Sequence, residues 1–422
     1  MHARRRLLWA VGLAALSCSA FAAELPVTGP HSPGMESYDR LLLEFMRKWN
    51  VPGGAVAVVN EGRLVLARGY GWADVEAKQP VEPASLFRLA SVSKPFTAVA
   101  VLKLVEQGKL KIDDRVCQLL GEFPEGEHAD SRWREITVGQ LLHHTGGWDR
   151  DKAYDPMFMP YKISKALGTP APAGSAEIIR YMLREPLQHP PGERYSYSNF
   201  GYCLLGRIIE RATGRAYGQV VHELVLRPCG ITDMRLGHTK LAARARGEVR
   251  YYNHPDDQLV RSVFPDVHDK VPPPYGGFYI EAMDSHGGWI GSAIDMMRFV
   301  AHLEGSRQPA LLEPESRGRM LARPAPPVSV NKPSWYGMGW SVRSTGKNTR
   351  NWWHNGSLDG TSTLVVRTSQ GRCWAALFNT RPSDEQEKKL GDFSGELDDL
   401  LWKAADGVER WPAHDLFPRF DR

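Results

Sequence analysis

The spacing of apolar positions divides the chain into three parts. From Met35 to Trp49, residues Leu41, Leu42, Phe45, Met46 and Trp49 fall on one helical face. Gly54 to Val59 and Leu64 to Tyr70 are short apolar runs, and Asn60-Glu61-Gly62 between them predicts a β-hairpin. Near the other end, Tyr336–Arg343, Thr361–Thr368 and Arg372–Asn379 read as strands, the last two joined across Ser369-Gln370-Gly371, and Glu385–Lys403 reads as a closing helix. Strands at both ends of a long, mainly helical middle predict one antiparallel sheet assembled from the two termini. The fold class is therefore α/β in the α+β sense. A sheet lobe is expected over about 35–90 and 330–405, a helical lobe over about 91–329, and a ligand cleft between them.

The N-terminus breaks this pattern. Arg4, Arg5 and Arg6 precede a short apolar run from Leu7 to Leu16, and Ala20-Phe21-Ala22 supplies small residues for cleavage. This is the layout of a secretory signal peptide over residues 1–22, with an uncleaved anchor as the alternative, and it predicts a secreted or periplasmic protein with one domain over 23–422. Loss of that segment removes three arginines and no acids from a formal net charge of +5, and so mild a balance argues against a nucleic-acid partner. No transmembrane span is expected after cleavage. Cys117, Cys203, Cys229 and Cys373 are far apart, show no metal or redox spacing, and read as buried free thiols.

The candidate chemistry starts at Leu86–Ala98, L-F-R-L-A-S-V-S-K-P-F-T-A. Ser91 and Lys94 are three apart, which puts both side chains on one face of a helical turn. A partly desolvated, neutral lysine takes a proton from a hydroxyl, and the N–H groups opening a helix favour a developing oxyanion. The same spacing recurs at Ser329/Lys332 and Ser344/Lys347, among turn-forming residues where a shared face is not expected. Only Ser91 leads into a helix that is apolar nearly all round, from Phe96 to Val105, with Gly108 as its stop.

Three further stretches carry polar chemistry. Tyr197-Ser198-Asn199 follows a Pro191-Gly192 turn and enters a helix ending near Gly214. Tyr197 is placed to accept or relay the serine proton if cations lower its pKa, and Asn199 to accept from Lys94 and donate to a substrate carbonyl. His354-Asn355-Gly356-Ser357 leads into a strand. Gly356 allows close backbone approach, the Ser357 N–H is a candidate second oxyanion donor, and His354 is a candidate donor to a substrate carboxylate or to Tyr197. Leu141–Trp148, L-L-H-H-T-G-G-W, reads as a structural loop because adjacent histidines point apart and lack a third ligand. His286-Gly287-Gly288 reads as a turn. No metal site, cofactor motif or G-x-S-x-G elbow is found. Trp148, Tyr275, Phe278, Tyr279 and Trp289 are expected near the cleft.

S-V-S-K, L-L-x-H-T-x-G, P-G-x-x-Y-x-Y-S-N and H-N-G-S-L-D-G, in this order over Met35 to about Trp402, resemble the penicillin-recognising serine hydrolases. The similar branch holds class C β-lactamases, D-stereospecific peptidases and certain esterases. The resemblance implies Ser91 as nucleophile, Lys94 as its activating partner, Tyr197 as general base and acid, and Asn199 as the substrate-orienting amide. It implies an oxyanion hole from the N–H groups of Ser91 and Ser357, with Gly356 giving room. His354 stands where many β-lactamases carry lysine, which looks more like the peptidases. The implied function is hydrolysis of an amide, ester or β-lactam carbonyl in a small molecule or D-amino-acid peptide through an acyl-enzyme, without a cofactor. The alternative is a non-catalytic wall-binding or scaffold protein, for which the Pro- and aromatic-rich stretch Tyr251–Tyr279 is the sequence support.

Overall fold

The computed structural model describes residues 24–124, 130–253 and 258–421, so the signal-peptide expectation lies outside the described residues. The hairpin forms first in the chain, after helix α1 (Glu36–Lys48). Strands β2 (Gly53–Asn60) and β3 (Arg63–Asp74) pair antiparallel across Glu61-Gly62, and both turn residues have positive φ, the conformation that matches strand twist. β1 (Val27–Thr28) adds to the outer edge of β3. From the C-terminal part come β4 (Ser334–Tyr336), β5 (Ser341–Ser344), β6 (Arg350–Leu358), β7 (Thr361–Arg367) and β8 (Arg372–Phe378). With Gln79–Pro80 on β3, they complete a nine-stranded antiparallel sheet in the order β1-β3-β2-β8-β7-β6-β5-β4. The sheet assembled from both ends of the chain is therefore present.

Strand β2 is buried along its whole length, which its unbroken apolar run requires. Ala55, Ala57 and Val59 face one core and Val56 and Val58 the other, the period of two expected of a central strand. The second core is closed by α1 and α5 (Phe393–Asp406), where Phe45, Trp49, Phe378 and Phe393 meet at centroid distances of 4.9 to 6.2 Å. The first core continues from the sheet through α4 (Ala293–Glu304) into the helical middle. There α2 (Lys94–Glu106) and α3 (Asn199–Thr213) are the principal members.

Three boundaries differ from expectation, each at glycine. Tyr336–Arg343 is two strands, because Gly337–Trp340 turns the chain back so that Tyr336 pairs with Ser341. Gly339 in that turn, at φ +84°, lies against α2: a Cβ there would stand 2.8 Å from the Cβ of Ala98. The closing helix is two helices, Asp384–Leu390 and α5, separated by Gly391 at φ +107° and recapped by Asp392. His354-Asn355-Gly356-Ser357 lies inside β6 rather than ahead of a strand. Cys117, Cys203, Cys229 and Cys373 are buried free thiols, as expected.

Candidate active site

The residues from Ala90 to Ser93 form one 3-10 turn and α2 starts at Lys94, with Pro95 in the first turn where its missing N–H costs nothing. In a 3-10 turn, side chains three apart eclipse, so Lys94 stands over Ser91. Ala90, immediately before the serine, has φ +48°, a left-handed conformation that a residue with a Cβ rarely adopts. Its burial and the packing around it hold the serine at the edge of the core.

Lys94 Nζ has no solvent contact and three oxygen partners: Ser91 Oγ at 3.2 Å, Asn199 Oδ1 at 2.7 Å and the main-chain oxygen of His286 at 3.0 Å. The amide oxygen and the carbonyl only accept. A neutral amine gives its two protons to them and keeps its lone pair for the Ser91 hydroxyl. Burial holds the Lys94 pKa well below that of ordinary lysine, and Arg150 adds to the effect while Asp155 opposes it. The lysine is thus prepared to receive a proton from Ser91.

Tyr197 stands beside the same serine, whose hydroxyl works to lower the phenol's pKa. Its ring lies 4.7 Å from Lys94 Nζ and 4.8 Å from the Arg150 guanidinium, both measured to the centroid. Neither neighbour makes it acidic. Burial raises its pKa, and the Ser91 hydroxyl and Arg150 only partly offset that, so the resting group is a phenol. The conditional expectation of a cation-acidified tyrosine does not hold.

Asn199 is the first residue of α3, which Ser198 caps by accepting from the Gly201 N–H at 3.1 Å. Its Nδ2 donates to Asp155 Oδ2 at 2.6 Å, which fixes the amide with its oxygen toward Lys94. One of the two Nδ2 protons is thereby occupied.

His354, on β6, is fixed at both nitrogens. Nδ1 lies 2.6 Å from the carbonyl oxygen of Asn355, which cannot donate, so Nδ1 carries the proton and Nε2 accepts from the Tyr336 hydroxyl at 2.9 Å. Burial, with Lys94 nearby, pushes its pKa down to about 3. The imidazole is neutral at ordinary pH and has no unused N–H to offer either a substrate carboxylate or Tyr197, whose ring centroid is 6.4 Å away. Gly356, two residues on, lies against the Ser91 turn. A Cβ there would be 3.0 Å from the Ser91 nitrogen, 2.5 Å from the Leu89 oxygen and 2.3 Å from Thr363 Oγ1. Only glycine lets β6 approach the Ser91 N–H this closely. Ser357 follows, in register with Ser362 of β7.

Four contributors escaped sequence reasoning. Asp155 orients Asn199. His286, read as part of a turn, contributes its main-chain oxygen. His144, read as part of a structural loop, accepts the Ser198 N–H at Nδ1 and packs at a tilt against Tyr197 and Tyr336, with ring centroids 4.3 Å and 4.4 Å away. Tyr336 holds His354. The first three lie in loops or turns, where periodicity gives no signal; Tyr336 was read within a strand, but a strand pattern does not show that its hydroxyl holds His354. Conversely, Trp148, Phe278 and Trp289 are buried core: Trp148 packs on Trp133 and Phe200, and Trp289 on Phe96 and Tyr217. Tyr195, Tyr336, Trp335 and Trp353, with Arg194 and Lys332, line a space of about 500 Å³ that meets the site at Tyr336, whose hydroxyl holds His354.

Comparison with known proteins gives one reading. The family model Beta-lactamase matches residues 38–397. The chain is 27% identical over 337 residues to penicillin-binding protein 4* of Bacillus subtilis, covering 79% of this chain and 69% of that protein. It is also 27% identical over 231 residues to protein flp of Staphylococcus aureus, covering 53% of this chain but only 44% of that protein. Among solved structures, D-amino acid amidase from Ochrobactrum anthropi superposes with a TM-score of 0.68 at 21% identity, over 89% of this chain and 99% of that one. That likeness establishes the β-lactamase-like fold. The matched length, with the sheet order and the four motifs in sequence, places this chain in the Beta-lactamase family.

Proposed function

We propose that the protein is an exported serine hydrolase that opens an amide, ester or β-lactam carbonyl through an acyl-enzyme on Ser91. The observation that carries this reading is the solvent-free Lys94 amine 3.2 Å from Ser91 Oγ, with its other two partners obligate acceptors. Ser91 Oγ attacks the carbonyl carbon and its proton passes to Lys94. The oxyanion is held by the N–H groups of Ser91 and Ser357, the approach that Gly356 permits. The Tyr197 phenol gives its proton to the departing nitrogen or oxygen and recovers one from the Lys94 ammonium. Water then attacks the ester by the reverse route, returning serine and free acid. Neutral His354 shapes this wall of the site and keeps Tyr336 in place, and no cofactor takes part.

Among the described residues no helix is long and apolar enough to cross a membrane. Export rests on the leader-like residues 1–22. The cleft lined by Tyr195, Trp335 and Tyr336 adjoins the rings around Tyr197 and suits an aromatic or aliphatic portion of the substrate. The test is turnover of a panel of esters, D-amino-acid amides and β-lactams by wild type and Ser91→Ala. Turnover lost in the variant supports the reading. Ligand binding without turnover in either protein supports a scaffold role instead.

A further inference from the structure

Behind the serine–lysine pair stands a carboxylate that no motif announced. Asp155 caps a short 3-10 turn, accepting the Met157 N–H at Oδ1 over 3.1 Å, while Oδ2 accepts Asn199 Nδ2 at 2.6 Å. Asn199 in turn accepts from Lys94 at 2.7 Å and Lys94 meets Ser91. The chain Asp155–Asn199–Lys94–Ser91 is continuous, and each link has one permitted direction. A carboxylate offers only acceptors to the amide, so Asn199 cannot rotate its NH₂ toward Lys94 without placing its own oxygen against Asp155.

We propose that Asp155 is a positioning residue for the acylation reaction, acting through Asn199: it locks the amide oxygen onto Lys94 and places a fixed negative charge behind that amine. The inference rests on the reading of Ser91 as the acylated serine. Removing the hydrogen bond frees the amide to turn and present N–H protons to the amine, which competes with the geometry the lone pair needs. Removing only the charge leaves the geometry but makes Lys94 bind a proton less readily.

The other charged or titratable groups around Lys94 do not mask this. His144, His286 and His354 are each held neutral by burial, and Tyr197 and Tyr202 remain phenols for the same reason. Arg150 is the remaining charge, and it acts on Lys94 in the sense opposite to Asp155. Asp155 itself is pushed above the ordinary aspartate range by burial, against the pull of Asn199, Met157, Arg150 and Lys94.

The experiment is the rate of Ser91 labelling by a fluorophosphonate as a function of pH, in wild type, Asp155→Asn and Asp155→Ala, with thermal melts to confirm folding. Asparagine keeps an acceptor for Asn199 and loses the charge. Its labelling should approach the wild-type plateau while the acid limb moves to lower pH by about one unit, the size expected of an opposite charge within several ångströms. Alanine loses both, and its plateau should fall by about 10²-fold, as for a misplaced catalytic group. A role confined to folding would lower the melting temperature and leave the limb of the asparagine variant where it was. Labelling of wild type with an unmoved limb in folded Asp155→Asn overturns the proposal alone. A wild type that takes no label overturns the reading of Ser91, and the proposal with it.

Discussion

At the scale of single residues, the site is governed by which groups are kept uncharged. Ser91, Lys94, Tyr197 and Asn199 were legible because the chemistry dictates their spacing or order: three residues for a shared turn, and a Tyr-x-Asn start to a helix. Their protonation states were not legible, because burial comes from the whole fold. Lys94 is lowered by desolvation, so activity should rise from acid and level off well below the pH at which an ordinary lysine, with a pKa of about 10.4, loses its proton. The sign follows from the lone pair: acid adds a proton to Lys94 and removes the base. No further limb should appear near pH 6.5, because His354 titrates at about 3. A limb there that vanishes in His354→Gln would show that the imidazole is protonated in use. Tyr336→Phe leaves the buried His354 Nε2 without its donor, and urea unfolding should show a loss of about 1–3 kcal/mol.

At the scale of elements, the Ser91 turn and strand β6 meet because Gly356 lets backbone touch backbone, and the start of α3 joins them through Asn199 on Lys94. Sequence patterning located the helix after the Ser91 turn and the start of α3 but missed β6 (Arg350–Leu358), placing the H-N-G motif in a connection that leads into the strand at Thr361. Gly356 interrupts the run of side chains by which a strand is recognised, and its reason lies across space at Leu89 and Ser91. Gly356→Ala should therefore displace β6 from the serine, since both Leu89 O and Thr363 Oγ1 stand under 3 Å from the new methyl. The expected result is a fall in acylation of about 10²-fold or more, with a smaller loss of stability; wild-type acylation in this variant would show that the close approach is not needed. Gly339→Ala combines a positive φ with the nearby Ala98 methyl of α2. It should lower the melting temperature, by an amount matching about 1–3 kcal/mol, through the packing of α2.

At the scale of the whole molecule, one sheet built from both ends of the chain was legible from the apolar runs at each end, whereas the division of Ala55–Val59 between two cores was not, because that run is apolar throughout. The aromatic lining of the cleft did not follow, since composition cannot tell a core tryptophan such as Trp289 from a half-buried one such as Trp353 that lines the space. Burial also leaves a global signature. His143, His144, His189, His286, His302 and His354 are all lowered, with desolvation the leading cause in each. Each binds its proton in the unfolded chain near pH 6.5 and only at lower pH when folded, so the unfolded state holds more protons in between and stability falls as pH drops. Urea midpoints should decline from about pH 7 toward pH 5, ahead of carboxylate titration, by up to about 1.4 kcal/mol per pH unit for each fully neutral imidazole. A flat stability curve across that window would contradict the neutral, buried imidazoles.

The central claim, that the folded chain activates one hydroxyl for acyl transfer, is tested most directly by intact-mass spectrometry after exposure to a fluorophosphonate, with peptide mapping of the product. The account predicts a single adduct on Ser91, absent from Ser91→Ala and strongly reduced in Lys94→Ala. Folded wild-type protein that remains unmodified, or an adduct that persists in Ser91→Ala, would contradict it.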